Sequence, residues 1–234
     1  MNNAEPVPVT VGITFRGLQN LIPPPENPVQ RVVPPYSSVS IPLSSIRRAR
    51  PVHADISISI DLGASDTEPD DFVYAVPFGG SAPRPLIQGF DGEDTHLGSM
   101  RYSLDFGMPR GTPVLAARAG RVLYLQDGFT EGRADPALLE RANLVVIAHS
   151  DGTMASYGHL APGLAVAVGD SIVEGELLGR SGRTGFAGQP HLHFHVGLRM
   201  LGEPGRTIPV ELRDEDGESI HLIEGASIPP APRY

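Results

Sequence analysis

Apolar and polar residues alternate one for one in several short stretches of this chain, the period of a β-strand with one face against a core. Val9, Val11, Ile13 and Phe15 alternate with Thr10, Gly12 and Thr14. Val39, Ile41 and Leu43 alternate with serine and proline, and Ile56, Ile58, Ile60 and Leu62 with serine and aspartate. A proline-rich loop, Ile22–Pro28, lies between the first two. Short strands bounded by such turns predict a small N-terminal β-sandwich over residues 1–65. The small and acidic residues of Gly63–Asp71 break the alternation, which places a linker at 66–74. A second β-rich domain then spans 75–212, with strands predicted at 112–117, 120–126, 144–149, 153–160, 165–168 and 190–198 and turns of Gly, Pro and Asp between them. Residues 213–234 read as a C-terminal extension, irregular from Ile228 onward because of its prolines. Only Asp135–Arg141 reads as a helix, with Asp135 as N-cap and Pro136 at the first helical position. The predicted fold class is all-β and mainly antiparallel.

The strand Pro190–Leu198 is the most informative. Its period of two puts His191, His193 and His195 on one face and Leu192, Phe194, Val196 and Leu198 on the other. Same-face neighbours on a strand are roughly 6.5–7 Å apart. One imidazole can then hold a metal while the next reaches a water on it.

Composition removes most competing chemistries. The chain has 234 residues and a formal net charge of −9, which argues against a nucleic-acid partner. There is no cysteine, so disulfides, thiol nucleophiles and cysteine zinc sites are absent. All 18 basic residues are arginine, and without lysine there is no Schiff-base chemistry and no phosphate-loop lysine. No apolar run approaches the roughly 20 residues of a membrane helix. The first residues, Met1–Pro6, do not read as an export signal.

Candidate partners for the histidine strand lie upstream. Asp105 opens an apolar stretch, where an unpartnered carboxylate costs several kcal/mol; a metal or an arginine such as Arg101 removes that cost. His96 lies on the loop before it, and His159 ends the stretch Ala155–Leu160. His149 opens a Ser-Asp-Gly turn and reads as structural, while His53 and His221 read as solvated. The glycine-rich run Gly179–Gln189 does not match a phosphate loop and reads as a flexible loop delivering the histidine strand to a groove. His-Glu-x-x-His is absent, and a cupin-like His-x-His site lacks its glutamate. A mixed site of His96, Asp105 and His193, with a fourth position open, remains available, and that openness marks a catalytic zinc.

Taken in order, these segments resemble the lysostaphin/LytM-type zinc metallopeptidases. The resemblance rests on His96 to Asp105, on Asp105–Ala117, on Tyr157-Gly158-His159-Leu160, on Val168–Gly185 and on His191-Leu192-His193-Phe194. It covers about residues 75–210, with eight residues between His96 and Asp105 as a longer loop. It implies a lysostaphin-type domain with an open groove. It further implies Zn2+ held by His96, Asp105 and His193, with His159 and His191 flanking the water that the metal activates. His195 receives no role. The implied activity is endopeptidase cleavage of stem or cross-bridge peptides of peptidoglycan, by a periplasmic or secreted, monomeric protein with no membrane span. The alternative is a catalytically silent or latent domain that binds peptidoglycan or regulates other wall hydrolases, with the acidic Gly63–Asp71 stretch as a plug for the metal. An acidic protein gains no attraction from an anionic wall, so recognition would come from groove shape and backbone hydrogen bonding.

Overall fold

A computed structural model describes residues 9–34, 36–62, 68–198 and 205–231. These fall into two compact units, one built on residues 9–62 and one on residues 68–198 and 206–231.

In the first unit β1 (Val9–Gln19) is the central strand, flanked antiparallel by β2 (Val29–Val33) and β3 (His53–Leu62). Val9, Val11 and Val33 form its small core, with Ile13 and Val39 against it. The predicted sandwich is, among the described residues, a single three-stranded sheet. Among the described residues, the segment Val39–Leu43 alternates as a strand does but forms no named strand, and Pro42 has no N–H to give a ladder. Ile56, Ile58 and Ile60 stand opposite Phe15, Ile13 and Val11 on the same sheet face, yet each is more than half exposed.

The second unit is built around a nine-stranded sheet. Its chain order begins with β4 (Val73–Ala75), β5 (Arg84–Gln88), β6 (Leu104–Gly107), β7 (Pro113–Leu115) and β8 (Gly120–Gln126). It continues through β9 (Gly132–Arg133), β10 (Asn143–Ala148), β11 (Met154–Leu160), β12 (Ser171–Ile172), β13 (Leu177–Arg180) and β14 (Gly185–Phe186). It ends with β15 (His191–Leu198), β16 (Arg206–Ile208), β17 (Glu211–Arg213) and β18 (Ser227–Ile228). In the large sheet the order is β12-β8-β10-β11-β15-β6-β5-β18, and β16 pairs with the second half of β15. The predicted all-β, antiparallel character holds throughout this sheet.

The histidine strand β15 is central. It pairs with β11 on one side and with β6, then β16, on the other. Leu192, Phe194 and Val196 are fully buried, and Phe194 packs on Tyr157 with ring centroids 5.2 Å apart. Tyr157 also accepts the Ala117 N–H at 2.9 Å, which satisfies its buried hydroxyl. The stretch 165–168, expected as a strand, is bend and turn instead: the Ala167 N–H goes to the Asp170 carboxylate at 2.8 Å, and Val168 is exposed. Pro136–Arg141 forms a 3-10 helix capped as expected, with the Asp135 carboxylate accepting from the Ala137 N–H at 3.0 Å. The tail is more ordered than its prolines suggested. β18 pairs with β5, and Ile228 and Ala231 belong to the core.

His149 is buried, as its structural reading required. Its Nδ1–H donates to the Ala119 carbonyl at 2.9 Å, and its Nε2 is buried with no hydrogen-bond partner. Burial pushes the imidazole down to about 4, the Arg118 charge adds to this, and the Ala119 carbonyl, Asp151 and Asp70 oppose it. The unfolded chain takes up a proton near pH 6.5 that the fold refuses until about pH 4. Stability from this group is therefore complete above pH 6.5 and is withdrawn as the pH falls. Denaturant titrations at pH 7 and pH 5 should show the wild type losing about 2 kcal/mol more than His149→Gln. Equal losses in the two proteins would show that His149 is not the titrating group.

Candidate metal centre

Register alone brings the first two groups together. β15 and β6 are antiparallel neighbours with His193 opposite Asp105, so the two side chains share a face. His193 Nδ1 lies 2.8 Å from Asp105 Oδ1. The third group arrives on the loop between β5 and β6. His96 is fully buried, and its Nε2 is 3.4 Å from Asp105 Oδ1. Among the described residues, His96, Asp105 and His193 form a metal-capable cluster, with one ligand atom from each and all three atoms within 4.8 Å of one another.

The loop bearing His96 is held at both ends. In the amide orientation that satisfies both its ends, Gln88 accepts from the Thr95 N–H at 3.0 Å and the His96 N–H at 3.2 Å. Further along, Thr207 accepts from the Tyr102 N–H and donates to the Ser99 carbonyl, both at 3.0 Å. The eight residues between His96 and Asp105 therefore carry a pinned 3-10 turn, Gly98–Met100. Arg101 is not the partner of Asp105. It pairs at the surface with Asp91, at 2.9 Å.

The protonation pattern follows from the acceptors. A carbonyl only accepts, so the ring nitrogen facing one carries the hydrogen and the other ring nitrogen is bare. His96 Nδ1 faces the Gly89 carbonyl at 2.8 Å, which leaves Nε2 bare, buried and without a hydrogen-bond partner. That lone pair points at a carboxylate oxygen. Buried carboxylate and imidazole lone pairs converging on one point are costly unless a proton or a cation stands between them. The donor set of two imidazoles and one carboxylate suits a divalent transition metal. Burial opposes the charge on Asp105, but His193 and His96 outweigh it and hold its carboxyl far below the usual range. For His96 burial likewise favours the neutral ring, and the negative charge of Asp105 beside it overcomes this and raises it.

His159 and His191 complete the cluster. Their rings lie 4.5 Å apart, and the His159 ring is 6.0 Å from His193. Each donates Nδ1–H to a carbonyl, His159 to Thr184 at 2.7 Å and His191 to Gln189 at 2.9 Å. Both therefore keep a bare Nε2, and that of His191 is 3.8 Å from Asp105 Oδ1. Burial, with His191 and His193 nearby, pushes His159 down to about 3, and burial lowers His191 as well.

His159 reaches this face through a break in the strand. By strict alternation it would follow Tyr157 onto the core face, because Tyr157 is opposite Phe194 while Gly158 is opposite His193. The β10–β11 pairing skips, with Asn143 opposite Leu160 but Val145 opposite Tyr157, so β11 holds one extra residue. At this bulge His159 takes a left-handed backbone, φ 62°, and its ring swings to the face that carries His191 and His193.

The glycine-rich run 179–189 is not a loose loop. Ser181, Gly182, Thr184 and Gly185 are buried, and bridges join Ser181 to Leu160 and Gly182 to His191. Thr184 donates to the Leu160 carbonyl and accepts from the Asn143 N–H, both at 2.9 Å, which fixes the carbonyl that orients His159. Gly185 is needed for close approach to the chain itself: at φ 77° a Cβ there would stand 2.7 Å from Ala142. The carbonyls of Gly89, Thr184 and Gln189 leave no mark in a sequence. Of the other histidines, His53 faces Asp55 at the surface and His221 is exposed, as expected. In the acidic stretch, the Asp70 carboxylate is engaged by Arg118, at 2.9 and 2.6 Å, while residues 63–67 lie outside the described residues.

Comparison with known proteins agrees with this arrangement. The description "Peptidase family M23" matches residues 99–204, a stretch that contains Asp105, His159, His191 and His193 and begins just after His96. The chain carries a peptidase family M23 domain. Among curated relatives of this M23 domain, lysostaphin of Staphylococcus simulans is 35% identical over 98 residues, 42% of this chain and 18% of that protein. The cell division protein DipM of Caulobacter vibrioides is 32% identical over 111 residues, 47% of this chain and 16% of the other. The peptidoglycan DD-endopeptidase ShyA of Vibrio cholerae is 35% identical over 95 residues, 41% of this chain and 20% of the other. The match thus spans a fifth or less of each of these relatives. M23 is a family of metallopeptidases, and no helix among the described residues is long and apolar enough to cross a membrane.

Proposed function

We propose that this chain is a zinc-dependent endopeptidase that hydrolyses peptide cross-links of bacterial peptidoglycan, working in the periplasm or outside the cell. The observation that carries the reading is the convergence of bare His96 Nε2, Asp105 Oδ1 and His193 Nδ1, with the bare Nε2 atoms of His159 and His191 beside them. The M23 match supports the peptidase assignment, and ShyA, a peptidoglycan DD-endopeptidase by name, supports the substrate.

A zinc ion held by His96, Asp105 and His193 supplies Lewis-acid polarisation of a carbonyl and acidification of water. The chain's own residues do the rest. His159 and His191 each present an acceptor nitrogen fixed by a carbonyl behind it, so either ring can withdraw a proton without reorienting. The ring that gains the proton becomes a donor and can return it to the amide nitrogen as the C–N bond breaks, so that the amine leaves neutral. The buried carboxylate of Asp105 lowers the charge of the site as a whole, and β15 holds two of the five groups on one rigid strand.

The test is metal analysis of the purified protein, followed by incubation with purified peptidoglycan with and without chelator. About one zinc per chain is expected, with new amino groups released, lost on chelation and restored by added zinc. Absence of zinc together with absence of released amines overturns the proposal and leaves a binding module.

A further inference from the structure

His195, which the mechanism does not use, makes one contact that the rest of the site does not explain. Its Nδ1 lies 3.0 Å from His193 Nε2, with ring centroids 5.2 Å apart. The residue is 6% exposed and stands on the same strand face, opposite Ser156 of β11. We infer that His195 is a positioning residue that holds His193 in its metal-binding tautomer. This rests on the reading of His96, Asp105 and His193 as a zinc site.

The position of one hydrogen atom on His193 depends on whether a cation is bound. Without a cation, the 2.8 Å contact between His193 Nδ1 and Asp105 Oδ1 requires the hydrogen on Nδ1. With a cation, Nδ1 must be bare, and the hydrogen of the neutral ring sits on Nε2. In that state it meets His195 Nδ1, whose own hydrogen then lies on Nε2. Ligating histidines usually give this hydrogen to a carboxylate or a carbonyl. Here the acceptor is a neutral ring, so the site gains orientation without a second buried negative charge beside Asp105. The tautomers of the two rings change together when the metal enters.

Two substitutions separate the hydrogen bond from packing. His195→Phe keeps the ring volume and removes the acceptor. His195→Asn removes volume but keeps an oxygen where Nδ1 stands. Zinc dissociation constants are measured by competition with a chromophoric chelator on proteins whose far-ultraviolet circular dichroism matches the wild type. His195→Phe is expected to weaken zinc binding about 10- to 100-fold, and His195→Asn to stay within a few-fold of wild type. Nitrogen-15 NMR of the zinc-loaded wild type should show hydrogen on Nε2 of both His193 and His195. Wild-type affinity in His195→Phe, equal losses in both variants, or hydrogen on His195 Nδ1 in the loaded protein would each overturn the inference. Failure of the zinc site itself looks different, because the wild type would then bind no zinc.

Discussion

His193→Ala is expected to remove the metal and with it all turnover. His193 supplies one of three converging ligand atoms, and its Nδ1 is 2.8 Å from Asp105 Oδ1. Loss of a partner behind a ligand typically costs 10- to 100-fold in metal affinity, so loss of the ligand itself should cost more than about 100-fold. The fold should survive. The His193 side chain is 17% exposed and faces the site, while the residues that anchor β15, Leu192, Phe194 and Val196, are untouched. Zinc content after dialysis and a competition titration measure the effect, with circular dichroism as the control for folding. Stoichiometric zinc in the folded variant would remove His193 from the ligand set.

His191→Ala should behave in the opposite way, keeping the metal and losing the chemistry. His191 is not one of the three residues whose ligand atoms converge, and its ring lies tilted against that of His159 at 4.5 Å with Nε2 bare. A positioned acid–base group contributes about 10²–10⁴-fold, and turnover should fall by that factor while zinc affinity stays within a few-fold. His159→Ala should give a loss of the same order. Because the two rings act on one event, the double variant should lose far less than the product of the single losses. Release of amines from peptidoglycan gives the rate, and chelator competition gives the affinity. A His191→Ala protein that retains more than about a tenth of the wild-type rate would exclude this residue from proton transfer.

Some of this site is legible in the chain because it depends on local period. Alternation over eight residues is enough to send Leu192, Phe194 and Val196 into a core and to turn His191, His193 and His195 the other way. The capped turn at Asp135–Arg141 is equally local, since Asp135 and Pro136 meet the needs of a first turn by themselves. Other readings failed where alternation was the only support. Among the described residues, 165–168 and the segment around Val39–Leu43 have the period of strands but form no named strand, because alternation by itself does not make a ladder. Ile56, Ile58 and Ile60 lie on the apolar face of their sheet and still meet solvent, because a sheet's period says which face a residue is on and not whether anything covers that face.

The sequence by itself determined the all-β character, the histidine strand and the side chains able to bind a metal. Tertiary structure decided which atoms of those side chains meet. The choice between Arg101 and a histidine cluster for Asp105 was settled by strand register, which places Asp105 opposite His193. His159 joined the site through one extra residue in β11, a defect in pairing that exists only relative to its neighbour β10. The ring nitrogens were assigned by carbonyls from Gly89, Thr184 and Gln189, backbone groups that every residue has and no sequence can single out. Side-chain type and period are local properties of a chain. Register, bulges and backbone acceptors are properties of pairs of segments far apart in it, and they come into being only when the sheet forms.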